Sequence, residues 1–205
     1  MKIIYSEIFR KCETCNLNLL KNLPKAMFIA YIIQYKELAL NVKEYLENHG
    51  FKILGFKQVL GCSKLNQQEA ILLVGGGKFH AINLLDYAKR IIVFNGQQII
   101  ELGSKDKAEL EKSKKTKITQ FLHANNIGLV VSTKPGQFNL KECLSRKKCL
   151  EVKFPAKKFY IFLVETLQQN EFENFPIDFW INFSCPGIEH DNKKVVNIGT
   201  LKHLL

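Results

Sequence analysis

The chain has 205 residues, 46% of them hydrophobic, which is enough to bury the core of one ordinary domain or of two small ones. Thirty Lys and Arg residues against 19 Asp and Glu give a formal net charge of +11, a balance that favours acidic partners. Many of the lysines lie in solvated runs such as KDKAELEKSKKTK, without the interleaved arginine and aromatic residues that stack bases. We therefore do not expect direct nucleic-acid binding.

The sequence lacks the usual signals for export or membrane insertion. Its longest apolar stretches, residues 26–33 and 127–131, are far shorter than the roughly 20 residues that span a bilayer. The N-terminus MKIIYSEIFRKCETC has no apolar centre of the kind found in signal peptides. We expect a cytoplasmic protein without membrane contact, whose six scattered cysteines are thiols or metal ligands rather than a disulfide framework.

The first half of the chain predicts alternating strands and helices. Residues 26–34 form a short apolar run with strand character, and residues 36–48 have the apolar spacing of a helix that Gly50 ends. FKILGF and AILLVGG follow as strands, separated by the turn GCSKLN. Residues 81–88 are predicted to form a short helix, and RIIVFNG and QQIIEL a strand with its hairpin partner. A Lys- and Glu-rich helix is expected over residues 106–125.

The second half repeats the pattern. NIGLVVST, KFYIFLVE and DFWINFSCP are predicted strands, KPGQFN a turn and LKECLSRK a helix, and Phe121 and Leu122 of the preceding helix should face the core. This order indicates the α/β class with parallel strands. We expect an N-terminal arm with a CxxC motif over residues 1–23, followed by two similar small parallel-sheet domains over residues 24–125 and 126–205.

Two cysteines directly follow predicted strands, where α/β folds present functional groups. Cys62 lies in VLGCS and Cys185 in NFSCP, and we expect the two positions to be equivalent in their units. Gly61 and Pro186 should hold each thiol in a tight turn beside backbone N–H groups, which lowers a thiolate's pKa and suits iron ligation. The alternative is a small buried hydrophobic side chain, the commonest role of free cysteine. The cysteines are too distant in sequence for a zinc knuckle, so a shared metal would lie between the units.

The remaining cysteines give weaker signals. Cys12 and Cys15 form CETC, a spacing compatible with zinc, an iron-sulfur cluster or a redox pair, but no second CxxC follows. Cys143 and Cys149 lie on a predicted helix-to-loop segment away from any strand end. We interpret this second pair as core or surface residues.

Two loops are candidates for binding an anionic or polar ligand. The glycines of VGGGKFHAINLL expose backbone N–H groups between a strand and a helix, and STKPGQFN offers a lysine and a glutamine after a strand. A plain turn is the alternative for both loops, and for the histidine of the first loop we favour a structural role. The candidate residues are Gly75, Gly76, Gly77, Lys78, His80, Lys134, Gly136 and Gln137.

Taken in order, YIIQYKEL, QVLGCS, VGGGKFHAINLL, GLVVSTKPGQFN and WINFSCPGIEHD resemble successive motifs of one known family. They are similar to the second and third domains of the archaeal-type diphthamide synthases, the 2-(3-amino-3-carboxypropyl)histidine synthases. The resemblance covers about residues 25–192. It is specific because five separated motifs, with two cysteines in the matching turns, occur in the same order.

The resemblance implies three similar α/β domains around a pseudo-threefold axis, each contributing one cysteine to a 4Fe-4S cluster. Cys62 and Cys185 match two of these ligands. In this family the reduced cluster cleaves S-adenosylmethionine, and the 3-amino-3-carboxypropyl radical adds to a histidine of translation elongation factor 2. The two candidate loops are then expected to bind the carboxylate and amine of S-adenosylmethionine.

The sequence departs from the family in two respects. The first domain and its cysteine have no counterpart, so the third ligand would come from Cys12 or Cys15, from a separately encoded first-domain subunit, or from a second copy in a homodimer. Gly187 stands where the family usually has arginine, and Gly76 where it usually has an acidic residue. A non-catalytic partner or scaffold of a complete synthase is therefore the main alternative, and a basic RNA- or ribosome-binding protein is a third.

Overall fold

The computed structural model describes residues 15–66, 68–165 and 172–204. The chain divides into two compact units, Met1–Glu109 and Leu110–Leu205, and one long helix crosses the division. The boundary expected from the sequence, after residue 125, falls just beyond the end of that helix. Among the described residues, no helix is long and apolar enough to cross a membrane.

The first unit is a five-stranded sheet in the order β2-β1-β3-β4-β5. The first four strands of that order run parallel, and β5 pairs with β4 as an antiparallel hairpin. The elements are β1 (Ala26–Tyr31), α1 (Lys36–Asn48), β2 (Lys52–Gln58), β3 (Gln68–Val74), α2 (Phe79–Leu84), β4 (Ala88–Phe94) and β5 (Ile99–Leu102).

The core of the first unit lies between β1, β3 and β4 and the apolar face of α1. Leu38, Val42 and Leu46 share that face and are buried, because residues three to four apart lie on one side of a helix. The helix is followed by Gly50, whose φ of +74° is a left-handed conformation that glycine adopts without strain. The predicted helix and its end are therefore confirmed.

The second unit contains a four-stranded, fully parallel sheet in the order β7-β6-β8-β9. Numbered within each unit, the four parallel strands of each sheet have the order 2-1-3-4, and the first sheet adds the antiparallel β5. The predicted α/β class with two similar, mainly parallel sheets is therefore confirmed. The elements are α3 (Ser104–His123), β6 (Asn126–Ser132), α4 (Leu140–Lys153), β7 (Lys158–Val164), β8 (Phe179–Asn182), α5 (Ile188–Asp191), β9 (Val195–Asn197) and a 3-10 helix (Ile198–Leu204).

Several sequence predictions need correction. The strand expected over residues 26–34 ends at Tyr31 and continues into a short 3-10 helix, Ile33–Tyr35. The helix expected over residues 81–88 ends at Leu84, because the chain must turn before it enters β4. Phe121 is fully buried as predicted, but Leu122 is 46% exposed, since consecutive helical residues point about 100° apart. Strand β9 was not predicted, because three residues are too few for a periodic pattern.

Candidate functional site

Both sheets have a point where the strand order reverses. In each unit the second strand pairs on one side of the first strand, and the third strand pairs on its other side. The reversal therefore lies between β1 and β3 in the first sheet and between β6 and β8 in the second. Parallel α/β sheets bind ligands at the carboxyl ends of the strands that flank such a point. Apart from Cys15, which precedes β1, the candidate residues described by the structure follow strands at this edge or begin the next helix.

Cys62 lies in a tight turn after β2, the edge strand of the first sheet. The Leu60 carbonyl accepts a hydrogen bond from the Ser63 N–H at 3.0 Å, and the Leu60 N–H donates to Ser63 Oγ at 2.8 Å. Gly61 and Cys62 are thus the central residues of a doubly closed turn. The Cys62 thiol is free and exposed, which contradicts the alternative of a buried hydrophobic side chain.

Cys185 follows β8, and its thiol is free and half-buried. The Cys185 carbonyl accepts hydrogen bonds from Asn182 Nδ2 at 2.8 Å and from the Ile188 N–H at 3.2 Å. The predicted equivalence of the two thiols is wrong. Cys62 follows the second strand of its unit and Cys185 the third, so the counterpart of the Cys185 loop in the first unit is the loop after β3.

That loop, Gly75 to Lys78, needs its glycines because it packs closely against the segment after β1. A Cβ on Gly75 would lie 2.8 Å from Ile32 Cγ1, and a Cβ on Gly76 would lie 2.9 Å from the Tyr35 hydroxyl oxygen. Gly77 has a φ of +76°, a conformation that disfavours other residues. The Tyr35 hydroxyl therefore occupies the space in which a side chain at position 76 would begin.

The loop ends at the short helix α2. Lys78 is exposed at the N-cap, and His80 is half-buried in the first turn. Burial lowers the pKa of His80 below its ordinary value of 6.5, because removal of water disfavours the charged imidazolium. The imidazole is accordingly neutral at pH 7. A neutral ring can donate or accept a hydrogen bond, but it carries no charge with which to attract an anion.

The second candidate loop is a β-turn on the surface. The Lys134 carbonyl accepts the Gln137 N–H at 3.0 Å, and Gly136 has a φ of +78°. Proline followed by glycine at the two central positions is typical of a type II turn. Lys134, Gly136 and Gln137 are all exposed, so their side chains are accessible to a ligand.

The structure brings this turn and the Cys185 loop together at the point where the second sheet reverses. The Ser132 N–H donates to Ser184 Oγ at 2.6 Å, and the Lys134 N–H donates to Ser132 Oγ at 3.1 Å. Two serines thus connect the loops across neighbouring strands. This geometry places one thiol, one lysine and a glutamine-bearing turn at one edge of one sheet.

The other cysteines differ in accessibility. Cys143 is fully buried, and burial raises its pKa to about 11, so it remains a protonated core thiol. Cys149 is free and exposed on α4. Cys15 is disulfide-bonded and therefore offers no thiolate unless reduced, and Cys12 lies outside the described residues. Within residues 15–66, 68–165 and 172–204, no three His, Cys, Asp or Glu side chains cluster so as to hold a metal ion.

A buried polar network below the Cys185 loop was missed at the sequence level. Lys117 Nζ donates to the Glu189 carbonyl at 2.5 Å and lies 3.8 Å from Glu189 Oε1. Burial lowers the pKa of Lys117, and the Glu189 carboxylate partly opposes that shift. Glu189 Oε2 in turn accepts the Asn197 N–H at 3.0 Å. The signal for this network in the sequence is Asn182, the one polar residue of the strand FWIN, because a buried amide needs hydrogen-bond partners.

A family model described as "Putative diphthamide synthesis protein" matches residues 1–196. The chain belongs to the diphthamide synthesis protein family. It is 23% identical over 189 residues to a 2-(3-amino-3-carboxypropyl)histidine synthase of Pyrococcus horikoshii, a match that covers 86% of this chain and 55% of that protein. The chain thus spans about half the length of this curated relative.

Solved structures of the diphthamide synthesis family have the same fold. The crystal structure of Dph2 from Pyrococcus horikoshii with a 4Fe-4S cluster matches with a TM-score of 0.77 and 22% identity, over 92% of this chain and 59% of that one. A second Dph2 structure from the same organism gives a TM-score of 0.77 at 21% identity. Gly187, one of the two departures from the family motif, is buried at the N-cap of α5.

Proposed function

We propose that this chain supplies two ligand-bearing domains of a diphthamide synthase in the cytoplasm. The complete enzyme would transfer the 3-amino-3-carboxypropyl group of S-adenosylmethionine to a histidine of translation elongation factor 2. The single observation that carries the proposal is the membership of the diphthamide synthesis protein family over residues 1–196, together with a free, solvent-accessible thiol after a strand in each unit.

The thiols fit an iron-sulfur cluster in their chemistry. Thiolates are the usual ligands of 4Fe-4S clusters, and both Cys62 and Cys185 are free and at least partly accessible. The turn around Cys62 is closed by two hydrogen bonds, and the Cys185 loop is held through its own carbonyl. Cys62 and Cys185 would each provide one ligand. The bound cluster would supply the electron that cleaves S-adenosylmethionine.

The chain's own side chains would bind and orient the co-substrate. Lys134 and Gln137 are exposed beside the Cys185 loop, and a cationic lysine can pair with the carboxylate of the methionyl group. On the first unit, Gly76 is partly exposed and Gly77 is exposed, so their backbone is accessible, whereas Gly75 is buried. His80, neutral at pH 7, would act as a hydrogen-bonding group rather than as a charged one.

A third ligand has three possible sources. Cys15 would serve only after reduction of its disulfide, while Cys12 lies outside the described residues. A separately encoded first-domain subunit, or a second copy of this chain in a homodimer, would supply a thiolate directly. We favour a partner chain, because Cys15 is disulfide-bonded and provides no thiolate until that bond is reduced.

Anaerobic iron and sulfide quantification with EPR of the reduced protein tests the proposal. Wild type should bind iron, and Cys62→Ala and Cys185→Ala should each lose it. Cys149→Ala is the matched control, since it removes a free exposed thiol that the proposal does not use. A wild type without iron, alone or mixed with a first-domain partner, would refute the proposal. Loss of iron in Cys12→Ala and Cys15→Ala would assign the third ligand to the chain itself.

A non-catalytic partner or scaffold of a complete synthase is the second candidate. The close contact at Gly76 favours it, because the acidic side chain usual in the family could begin there only if the Tyr35 hydroxyl moved. This candidate predicts S-adenosylmethionine cleavage only when a complete homologue is added. Cleavage by the isolated, reduced chain would exclude it.

A further inference from the structure

Asn182 ends an otherwise apolar strand and uses both sides of its amide to hold the loop that follows. Asn182 is only 2% exposed. Its Nδ2 donates to the Cys185 carbonyl at 2.8 Å, and its Oδ1 accepts the Ser184 N–H at 2.9 Å. A buried amide is costly unless it is hydrogen-bonded, and here the partners are the loop itself.

Asn197, at the end of the neighbouring strand β9, extends this contact to the far side of the thiol. Asn197 Oδ1 accepts a hydrogen bond from Asn182 Nδ2 at 2.7 Å, and Asn197 Nδ2 donates to the Pro186 carbonyl at 2.9 Å. The two amides therefore contact the backbone immediately before, at and after Cys185. The contacts described for Cys62, Cys143 and Cys149 include no such pair of strand-borne side chains.

Glu189, which is paired with Lys117, in turn binds the backbone of Asn197. The Asn197 N–H and the Thr200 hydroxyl both donate to Glu189 Oε2, at 3.0 Å and 3.4 Å. Glu189 and Lys117 are 8% and 7% exposed, so this support lies within the core of the second unit. The Cys62 turn in the first unit lacks such a support among its described contacts, and is closed locally by Ser63.

We propose that Asn182 and Asn197 are positioning residues that hold the Cys185 loop in one conformation before any metal binds. The assignment rests on the proposed function only in taking Cys185 as a ligand; the holding of the loop is a property of the chain itself. A ligand presented by a fixed loop loses less conformational freedom on binding than one on a mobile loop.

Per-thiol alkylation kinetics test the assignment. Wild type and variants are treated with iodoacetamide, and modification of each cysteine-containing peptide is followed by mass spectrometry. In wild type, half-buried Cys185 should react more slowly than exposed Cys149. Asn182→Ala removes two hydrogen bonds to the loop, each of which shifts the opening equilibrium by roughly fivefold. The ratio of the Cys185 rate to the Cys149 rate should rise accordingly, with Cys62 unchanged.

The chain offers a matched control in Asn95→Ala. Asn95 Oδ1 accepts the Gln97 and Gln98 N–H groups at 3.0 Å each, so it is also an asparagine that holds a turn. That turn contains neither Cys185 nor Cys149, whose rates form the ratio. Asn95→Ala should leave the ratio unchanged. Asn197→Ala, which loses the contact to Pro186 in a half-buried position, provides a second test if Asn182→Ala does not fold.

Two outcomes overturn the proposal. One is an unchanged ratio of alkylation rates in folded Asn182→Ala and Asn197→Ala. The other is an equal rise in the alkylation rate of Cys62, which would indicate a general loosening of the protein. Asn182→Asp keeps the acceptor for Ser184 but turns a carboxylate oxygen toward the Cys185 carbonyl and Asn197 Oδ1, so the ratio should rise here too. Iron retention is measured on the same proteins as a separate readout. Absence of iron in wild type, both alone and mixed with a first-domain partner, would refute the proposed function. The alkylation result would still decide the positioning role.

Discussion

Gly128 and Trp180 are cross-strand neighbours at the centre of the second sheet, and their contact leaves no room for a side chain at position 128. A Cβ on Gly128 would lie 2.2 Å from Trp180 Cε3 and 2.4 Å from Cζ3. Carbon atoms pack at about 3.5–4.0 Å, so the indole would have to move by more than about 1 Å. The ring is 2% exposed and lies 4.8 Å from the Phe162 ring and 4.5 Å from the Phe172 ring, between centroids.

We therefore expect Gly128→Ala to destabilise the second unit by about 3 kcal/mol, near the upper end for overpacking of a core. In a unit of this size each kcal/mol lowers Tm by roughly 4–8 °C, which gives a decrease of at least about 12 °C. Strands β6 and β8 carry the Lys134 turn and the Cys185 loop. Because Trp180 is on β8, displacement of its indole should also disturb the Cys185 loop and raise the alkylation rate of Cys185.

Trp180 is the only tryptophan in the sequence, so its fluorescence reports thermal and urea unfolding of the second unit. Gly199→Ala is the control, since nothing lies within 4 Å of a Cβ at that position, and it should change stability by less than about 0.5 kcal/mol. In the Gly128→Ala background, Trp180→Phe should recover part of the loss, measured by circular dichroism. A Gly128→Ala protein as stable as Gly199→Ala would refute the reasoning.

Three further predictions concern stability and the loops. Asp178 accepts two backbone N–H groups, which lower the pKa of its carboxyl group; Asp178→Asn should lose about 1 kcal/mol at pH 7 by urea unfolding. Because the folded-state pKa is lowered, that difference should disappear as the pH falls below about 4, and a constant difference would contradict it. Gly75→Ala should lower Tm through its contact with Ile32, whereas a neutral result would show that the loop can relax. Lys117→Met should lower the free energy of unfolding by about 3 kcal/mol, because it leaves the buried Glu189 carboxylate without its cation; an unchanged Tm would contradict this.

Local patterns in the sequence were sufficient for most of the fold. The apolar spacing in Lys36–Asn48 predicted a helix with the observed bounds, and Gly50 marked its end, because helical periodicity and a left-handed glycine are properties of neighbouring residues. The turn at Cys62 and the Pro-Gly turn beyond Lys134 were also predictable, since a few adjacent residues determine them. The ordered motifs were sufficient to indicate the diphthamide synthesis protein family, to which the chain belongs.

Contacts between distant segments decided the rest. Only the strand order shows that Cys185 and the glycine loop, rather than the two thiols, occupy corresponding positions in their units. Only the packed sheet brings Asn182 and Asn197 to both flanks of Cys185, and Tyr35 against Gly76. The sequence by itself determined which local elements and turns form, because their energies depend on near neighbours. The tertiary structure decided which residues meet at the carboxyl edge of each sheet, because that depends on strand pairing and register between segments far apart in the chain.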